Sequence, residues 1–224
     1  MNYGLVLAAG KSGKLGSKVD RAFLSLGPKP VLAYTLLAFE KCEDIEGIVL
    51  VVRKDRVDAA RSLLQLFGCS KVIDVVAGGT LRSASVINGL AAMPDDVKQV
   101  AIHEASRPLV TSELISETLK ACKRTGAASV GLKVADAVMH SERGVTLSDA
   151  VDISKLWMLQ SPQSFKIDVL RRALANLDPK HPLSDEASAV ERLGESVRLV
   201  PGSPYNIKIL TSDDLPLAGI LLKL

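Results

Sequence analysis

Short apolar runs alternate with amphipathic stretches along the first 134 residues. Residues 4–8 carry two leucines and a valine, and residues 47–52 read GIVLVV. Residues 71–76, 99–103 and 127–134 form three more such runs. Runs of that length, bounded by glycine or polar residues, read as strands buried on both faces. The stretches between them have helical spacing. Residues 30–42 place Leu32, Leu36, Leu37 and Phe39 on one stripe behind a proline that suits a first turn. Residues 55–67 do the same with Val57, Ala60, Leu63, Leu64 and Phe67. Residues 80–93 follow a Gly-Gly pair. Residues 112–122 open on Ser112 as N-cap, with Glu113 in the first turn. This alternation predicts an α/β fold with a mostly parallel sheet covered on both faces, and ligands at the carboxyl ends of its strands.

Residues 135–157 break the rhythm. Short extended runs flank a Ser-Glu-Arg-Gly turn, which predicts a hairpin, either a protruding arm or a plain surface excursion. Beyond it, residues 165–177 and 185–193 read as helices, 197–200 as a strand and 206–210 as extended chain. Ser212 opens a last helix through Leu222. There is no internal repeat or linker, so residues 1–224 read as one domain.

Candidate chemistry gathers at the predicted strand ends. After the first strand the chain runs through Ala8, Ala9, Gly10, Lys11, Ser12 and Gly13, with Gly16 beyond. Small residues let backbone N–H groups close on an anion. Lys11, Lys14, Lys18 and Arg21 surround this loop, with one acid, Asp20. The glycines fall at spacings of three, which is neither the dinucleotide fingerprint nor the P-loop. On local chemistry alone, an ordinary strand–turn with a solvated basic loop explains it nearly as well. Three further clusters follow later strands. Gly78, Gly79, Thr80, Arg82 and Ser85 open a helix. Glu104, Ala105 and Arg107 follow the fourth strand, with a carboxylate suited to Mg²⁺ and an arginine suited to phosphate. Asn206, Ile207 and Lys208 add a cation near the C-terminus. Each alone also fits a structural ion pair or cap. Jointly they predict a site for a nucleoside triphosphate with a divalent ion. The chemistry expected there is in-line attack at phosphorus, catalysed by positioning and by cations.

Totals narrow the class. Net charge is +3 and aromatic residues make up 4%, which argues against a nucleic-acid binder. No run approaches the roughly 18 apolar residues of a membrane span, and the chain reads as cytoplasmic. Cys42, Cys69 and Cys122 have no metal-ligand spacing and read as buried free thiols. The three histidines form no zinc pattern.

Several motifs then coincide: L-A-A-G at 7–10, cations at 14 and 21, F-L at 23–24, A-G-G-x-x-R-x-x-S-V at 77–86, an acid followed by A-x-R-P at 104–108, L-W at 156–157, Q-S-P-Q-x-F at 160–165, S-D-E-A-S at 184–188 and N-I-K at 206–208. In order and spacing this resembles the 2-C-methyl-D-erythritol 4-phosphate cytidylyltransferases over nearly the whole chain. Enzymes that make CDP-ribitol share much of the pattern. The resemblance implies a Rossmann-like three-layer α/β/α fold and a cytidylyltransferase. It also implies CTP, a sugar-alcohol phosphate and Mg²⁺ as partners, pyrophosphate as product, and a homodimer joined by the arm. Carried onto this chain, it assigns Ala8, Ala9, Gly10, Lys11, Ser12 and Gly13 to the triphosphate. Gly79, Thr80 and Ser85 would read the cytosine, supported by Arg82, with Ala105 also lining the CTP site and Glu104 as metal ligand. Lys14, Arg21 and Lys208 are the catalytic cations. Arg107, Ala137, Ile153 and Lys208 fall at acceptor positions.

The sequence departs from the family pattern at several of these places. The family has arginine at 14 and lysine at 21, interchanged here. Its Pro-Lys-Gln is Asp20-Arg21-Ala22, which sets an acid beside the expected phosphates. Its metal-binding aspartate is Glu104, and the threonine and arginine of its arm are Ala137 and Ile153. These departures keep open a second expectation, a nucleotide-binding relative of weakened activity that acts as a dimeric regulatory protein.

Overall fold

The computed structural model describes residues 1–10, 20–177 and 185–223. Along the chain the strands are β1 (Asn2–Ala8), β2 (Ser25–Leu26), β3 (Lys29–Pro30), β4 (Gly47–Val52), β5 (Val72–Ala77), β6 (Gln99–Glu104), β7 (Ala127–Lys133), β8 (Val138–Met139), β9 (Ala150–Val151), β10 (Trp157–Lys166) and β11 (Arg198–Pro201). The helices are α1 (Val31–Lys41), α2 (Val57–Phe67), α3 (Arg82–Ala91), α4 (Ser112–Thr125), α5 (Ile167–Ala175), α6 (Glu186–Arg192) and α7 (Asp214–Leu221). Seven strands form one sheet in the order β11-β7-β10-β6-β1-β4-β5. β1 pairs in parallel with both β4 and β6, and β5 and β11 extend the two sides in parallel.

Strand alternation decides which residue faces which helix layer. In β4, Ile48, Leu50 and Val52 pack under α1, α2 and α4, while Val49 and Val51 pack under α3. In β1, Leu5 and Val6 divide in the same way. All six residues of β4 are buried, so a continuous apolar run, not an alternating one, marks this strand. On the second face α3 sits close to the sheet at Gly89. A Cβ there would lie 2.3 Å from Leu5 Cδ1 and 2.9 Å from Val51 Cγ2. That close approach fixes the height of α3, and its first residue, Arg82, reaches the site.

Several expectations are corrected. Residues 157–166, of which the sequence pattern assigns 157 to the arm, 165–166 to a helix and 158–164 to no element, form the ten-residue strand β10. β10 lies antiparallel between β6 and β7. Its polar QSPQS centre hid it, because Gln160, Ser161, Gln163 and Ser164 are buried and hydrogen-bonded or packed within the sheet. The helix after it therefore begins at Ile167. Thr111, not Ser112, caps α4, accepting from the Leu114 N–H at 3.2 Å. The arm is a hairpin of two-residue strands, β8 with β9. All three cysteines are buried and free, and burial pushes each thiol up.

Candidate active site

The site lies where strand order reverses about β1, outside the carboxyl ends of β1, β5 and β6. A cleft of about 330 Å³ opens there, walled by Ala8, Ala9 and Gly10 after β1, by Arg21, by Gly79 to Arg82 with Ser85 after β5, by Glu104 to Ser106 after β6, and by Lys208. Two positions fix the loop that walls it after β5. Gly78 leaves no room for a side chain, since a Cβ would meet Ala9 Cβ at 2.3 Å and Ser85 Oγ at 2.9 Å. Ser85 Oγ accepts from the Gly79 N–H at 3.1 Å and donates to the Leu81 carbonyl at 3.2 Å, which holds the loop onto the start of α3.

The charges form one connected system. Arg82 grips Glu186 with two parallel bonds, Nε to Oε1 at 2.9 Å and Nη2 to Oε2 at 2.7 Å. Its remaining nitrogen, Nη1, donates to Glu104 Oε1 at 2.8 Å. Lys208 Nζ donates to the same oxygen at 2.7 Å. Arg107 Nε lies 3.6 Å from Glu104 Oε2. Burial alone would raise the Glu104 carboxyl, but Lys208, Arg82 and Arg107 outweigh it and hold it at about 2. Glu104 is therefore ionised at any working pH.

Each member is fixed by its own element. Glu104 ends β6 and donates its backbone N–H to Ser161 Oγ at 3.1 Å. Lys208 follows Asn206, whose amide donates to the Ser161 carbonyl at 2.8 Å and to Gln160 Oε1 at 3.3 Å. The Ile209 N–H donates to the Ser106 carbonyl at 2.8 Å. Arg21 Nη1 lies 3.5 Å from the Ile209 carbonyl, so the C-terminal cation segment runs between the two loops. The Arg107 turn rests on buried His103. His103 Nε2 faces the Arg107 carbonyl at 3.1 Å. A carbonyl only accepts, so Nε2 carries the proton. Burial pushes this histidine down to about 4, which keeps it neutral.

The structure brings together most of the sequence-predicted residues. Ala8, Ala9, Gly10, Arg21, Gly79, Thr80, Arg82, Ser85, Glu104, Ala105 and Lys208 line one cleft. Lys11, Ser12, Gly13 and Lys14 lie outside the described residues. Arg107 is turned inward, its Nη1 donating to the Asn206 carbonyl at 2.8 Å, and it is not part of the cleft wall. Ala137 and Ile153 sit on the arm, away from the cleft of their own chain. Asp20 lines the cleft, but its carboxylate is withdrawn from solvent and turned away from the opening. Its side chain is 2% exposed, with Oδ1 accepting from the Ala22 N–H at 3.2 Å and Oδ2 3.8 Å from Arg56 Nε. Local spacing marks no role for Glu186, Gln160 or Ser161, although all three stand in the motifs at 160–165 and 184–188. Their partners are distant in sequence, and no local spacing reveals them.

A divalent ion fits this donor set in one way. Among the described residues no three acidic, histidine or cysteine side chains come together. Of the two carboxylates among the described residues of the cleft, Asp20 is 2% exposed and turned to Arg56, while Glu104 faces the cleft with Oε1 shared by Arg82 and Lys208. An ion held there would share or displace those contacts. Mg²⁺ is commonly held by one or two carboxylates together with substrate phosphates.

A glycine-lined cleft rimmed by cations, at the strand ends of a mostly parallel α/β sheet, belongs to the nucleotidyltransferase class. Comparison with known proteins narrows the class. The model of the family "IspD: 2-C-methyl-D-erythritol 4-phosphate cytidylyltransferase" matches residues 3–224. The cytidylyltransferase of that name from Desulforamulus reducens is 37% identical over 224 residues, covering 98% of this chain and 94% of the relative. The one from Alkaliphilus oremlandii is 34% identical over 221 residues, with the same coverages. Among solved structures, the 2-C-methyl-D-erythritol 4-phosphate cytidylyltransferase of Thermus thermophilus superposes with a TM-score of 0.80 at 30% identity, covering 98% of both chains. The 4-diphosphocytidyl-2C-methyl-D-erythritol synthase of Anaerococcus prevotii gives 0.86 at 26%, covering 100% of this chain and 98% of that one. The chain belongs to the 2-C-methyl-D-erythritol 4-phosphate cytidylyltransferase family.

Proposed function

We propose that this protein transfers CMP from CTP to 2-C-methyl-D-erythritol 4-phosphate and releases pyrophosphate, a step of isoprenoid precursor synthesis. The observation that carries the reading is the convergence of Arg21, Arg82 and Lys208, from three distant parts of the chain, on one glycine-lined cleft. An oxygen of the acceptor phosphate attacks the α-phosphorus of CTP. The new P–O bond forms as the bond to the β-phosphate oxygen breaks. Arg21, Lys208 and Lys14 balance the negative charge that grows on the phosphate oxygens in the transition state. Backbone N–H groups after β1 seat the triphosphate, and Gly79, Thr80 and Ser85 read the base. Glu104 would hold a divalent ion, which when bound draws charge from the phosphates.

The arm supports a homodimer. Val138 and Met139 on the hairpin, with Trp157, Met158 and Leu159 beside it, expose an apolar surface that a second copy would cover. In that assembly Ala137 and Ile153 would approach the partner's cleft. No helix of the described residues is long and apolar enough to cross a membrane. The burial of Asp20 favours an active enzyme over a weakened relative: Asp20 lines the cleft, but its side chain is 2% exposed and its carboxylate faces Arg56 at 3.8 Å. The test is a pyrophosphate-release assay with CTP, Mg²⁺ and a panel of polyol phosphates, ribitol 5-phosphate included. Turnover is expected with 2-C-methyl-D-erythritol 4-phosphate above all others. CTP binding by calorimetry without turnover on any acceptor would instead establish the regulatory reading.

A further inference from the structure

We propose that Arg56 is a positioning residue for Arg21, acting through Asp20 and Phe23 from outside the cleft. The proposal rests on the reading of Arg21 as a cation that acts on the phosphates. Arg21 opens a single 3₁₀ turn, Arg21–Phe23, capped by Asp20 Oδ1 on the Ala22 N–H. One turn has few hydrogen bonds of its own, so its orientation depends on what holds its flanks. Arg56 holds both. Its Nε faces Asp20 Oδ2 at 3.8 Å, and its Cζ lies 5.6 Å from the centre of the Phe23 ring. Asp20 Oδ2 and Arg56 Nε are both buried, and neither has a hydrogen-bond partner among the described residues. Each offsets part of the other's charge, with Arg53 also acting on Asp20 and Asp55 also facing Arg56. The Asp20 side chain is only 2% exposed, so losing Arg56 would remove its one ion-pair contact within 4 Å and leave Arg53 alone to offset a buried carboxylate.

Arg56 is itself well anchored. It precedes α2, whose Ala60 and Leu63 are buried in the core under the sheet. The grip therefore ties the turn to a rigid element. On the opposite side of the turn, the Arg21 guanidinium reaches towards the Ile209 carbonyl and passes over Gly10. A shift of the turn by a fraction of an ångström moves that guanidinium relative to the triphosphate seat. Positional errors of that order lower turnover steeply without abolishing binding. Arg56 is not part of the cleft wall, so its effect must pass through the turn.

The test is steady-state pyrophosphate release by wild type, Arg56→Met, the milder Arg56→Lys, Arg21→Ala and the double variant Arg56→Met with Arg21→Ala. Thermal melts are run on each. Arg56→Met is expected to lower kcat about tenfold while KM for CTP changes less than about twofold, because the interaction displaced acts in the transition state. Arg56→Lys is expected to recover part of that loss. In the Arg21→Ala background, removing Arg56 should cost no further kcat. Multiplicative losses in the double variant, or a loss confined to melting temperature or KM, would overturn the positioning role and leave the cytidylyltransferase reading intact. Wild type without turnover on any acceptor would overturn that reading, and this role with it.

Discussion

Replacing Glu186 by Gln isolates the buried half of the charge system. Glu186 is 3% exposed and bonds Arg82 through both oxygens, at 2.9 and 2.7 Å. Glutamine keeps the shape and one acceptor, but its amide N–H₂ then opposes a guanidinium N–H. Breaking a buried pair by neutralising one partner costs about 3–5 kcal/mol. Two features reduce this figure. Arg82 keeps its bond to Glu104 at 2.8 Å, and its side chain is 24% exposed, so water reaches part of the freed charge. The expected loss is therefore about 2–3 kcal/mol, or about 4–12 °C in melting temperature for a chain of this length. Urea unfolding and thermal melts of Glu186→Gln measure it directly. The double variant Arg82→Met with Glu186→Leu removes both charges and should regain most of that stability, since apolar replacement of a whole buried pair is close to neutral. The same double variant should be nearly inactive, because Arg82 lines the cleft. The reasoning fails if Glu186→Gln stays within about 0.5 kcal/mol of wild type, the range of an ordinary surface change. It also fails if the double variant is as unstable as the single one.

Lys208→Met should lower kcat for pyrophosphate release about 100-fold, as loss of one transition-state donor does elsewhere, while the fold, measured by circular dichroism, stays intact. Stability should rise with pH between about 4.5 and 6.5. The unfolded state protonates its histidine below about 6.5, whereas buried His103 takes a proton only near 4, so folding is opposed as pH falls through that window. By pH 4.5 the loss from this group is about 2–3 kcal/mol, and His103→Gln, which keeps an N–H donor, should flatten the urea-midpoint profile there. Glu104, held at about 2, adds its own loss only at lower pH, as acid protonates it. Gly89→Ala should destabilise by about 1–3 kcal/mol in urea unfolding, because its methyl group would lie 2.3 Å from Leu5 Cδ1 and must push α3 off the sheet.

The parallel part of the fold was legible because burial on both faces leaves an uninterrupted apolar run, as in β4, and the glycine and cation clusters fell at the ends of such runs. β10 was not legible. Gln160, Ser161, Gln163 and Ser164 bury polar groups in the centre of a sheet, which apolar periodicity counts against a strand. They are there because the strand also serves the site: Ser161 receives the Glu104 N–H, and Gln160 and Ser161 hold Asn206 below Lys208. The same cause hid Glu186 and Arg56. Each acts across more than thirty residues on a group that local spacing had already marked, so the sequence shows the functional charge and not what aims it. Arg107 shows the converse case. Its place beside Glu104 suggested a ligand to phosphate, and the structure adds a role that spacing does not show: Nη1 donates to the Asn206 carbonyl and steadies the segment that carries Lys208.

These supports explain how cations can be gathered before an anionic substrate arrives. Arg82 and Lys208 in the cleft wall, and Arg107 turned inward behind Glu104, would repel one another if nothing lay between them. Glu104 supplies the charge between them, with Oε1 shared by Arg82 and Lys208 and Oε2 facing Arg107. Glu186 takes the other face of Arg82. Three cations against two carboxylates leave this group net positive, and Arg21 stands beside it on the far wall. The cleft is therefore held together by its own acids and still favours a triphosphate. A site arranged in this way needs little reorganisation as charge develops on the transferring phosphorus, and that preorganisation, not a protein nucleophile, is what these residues contribute to the reaction.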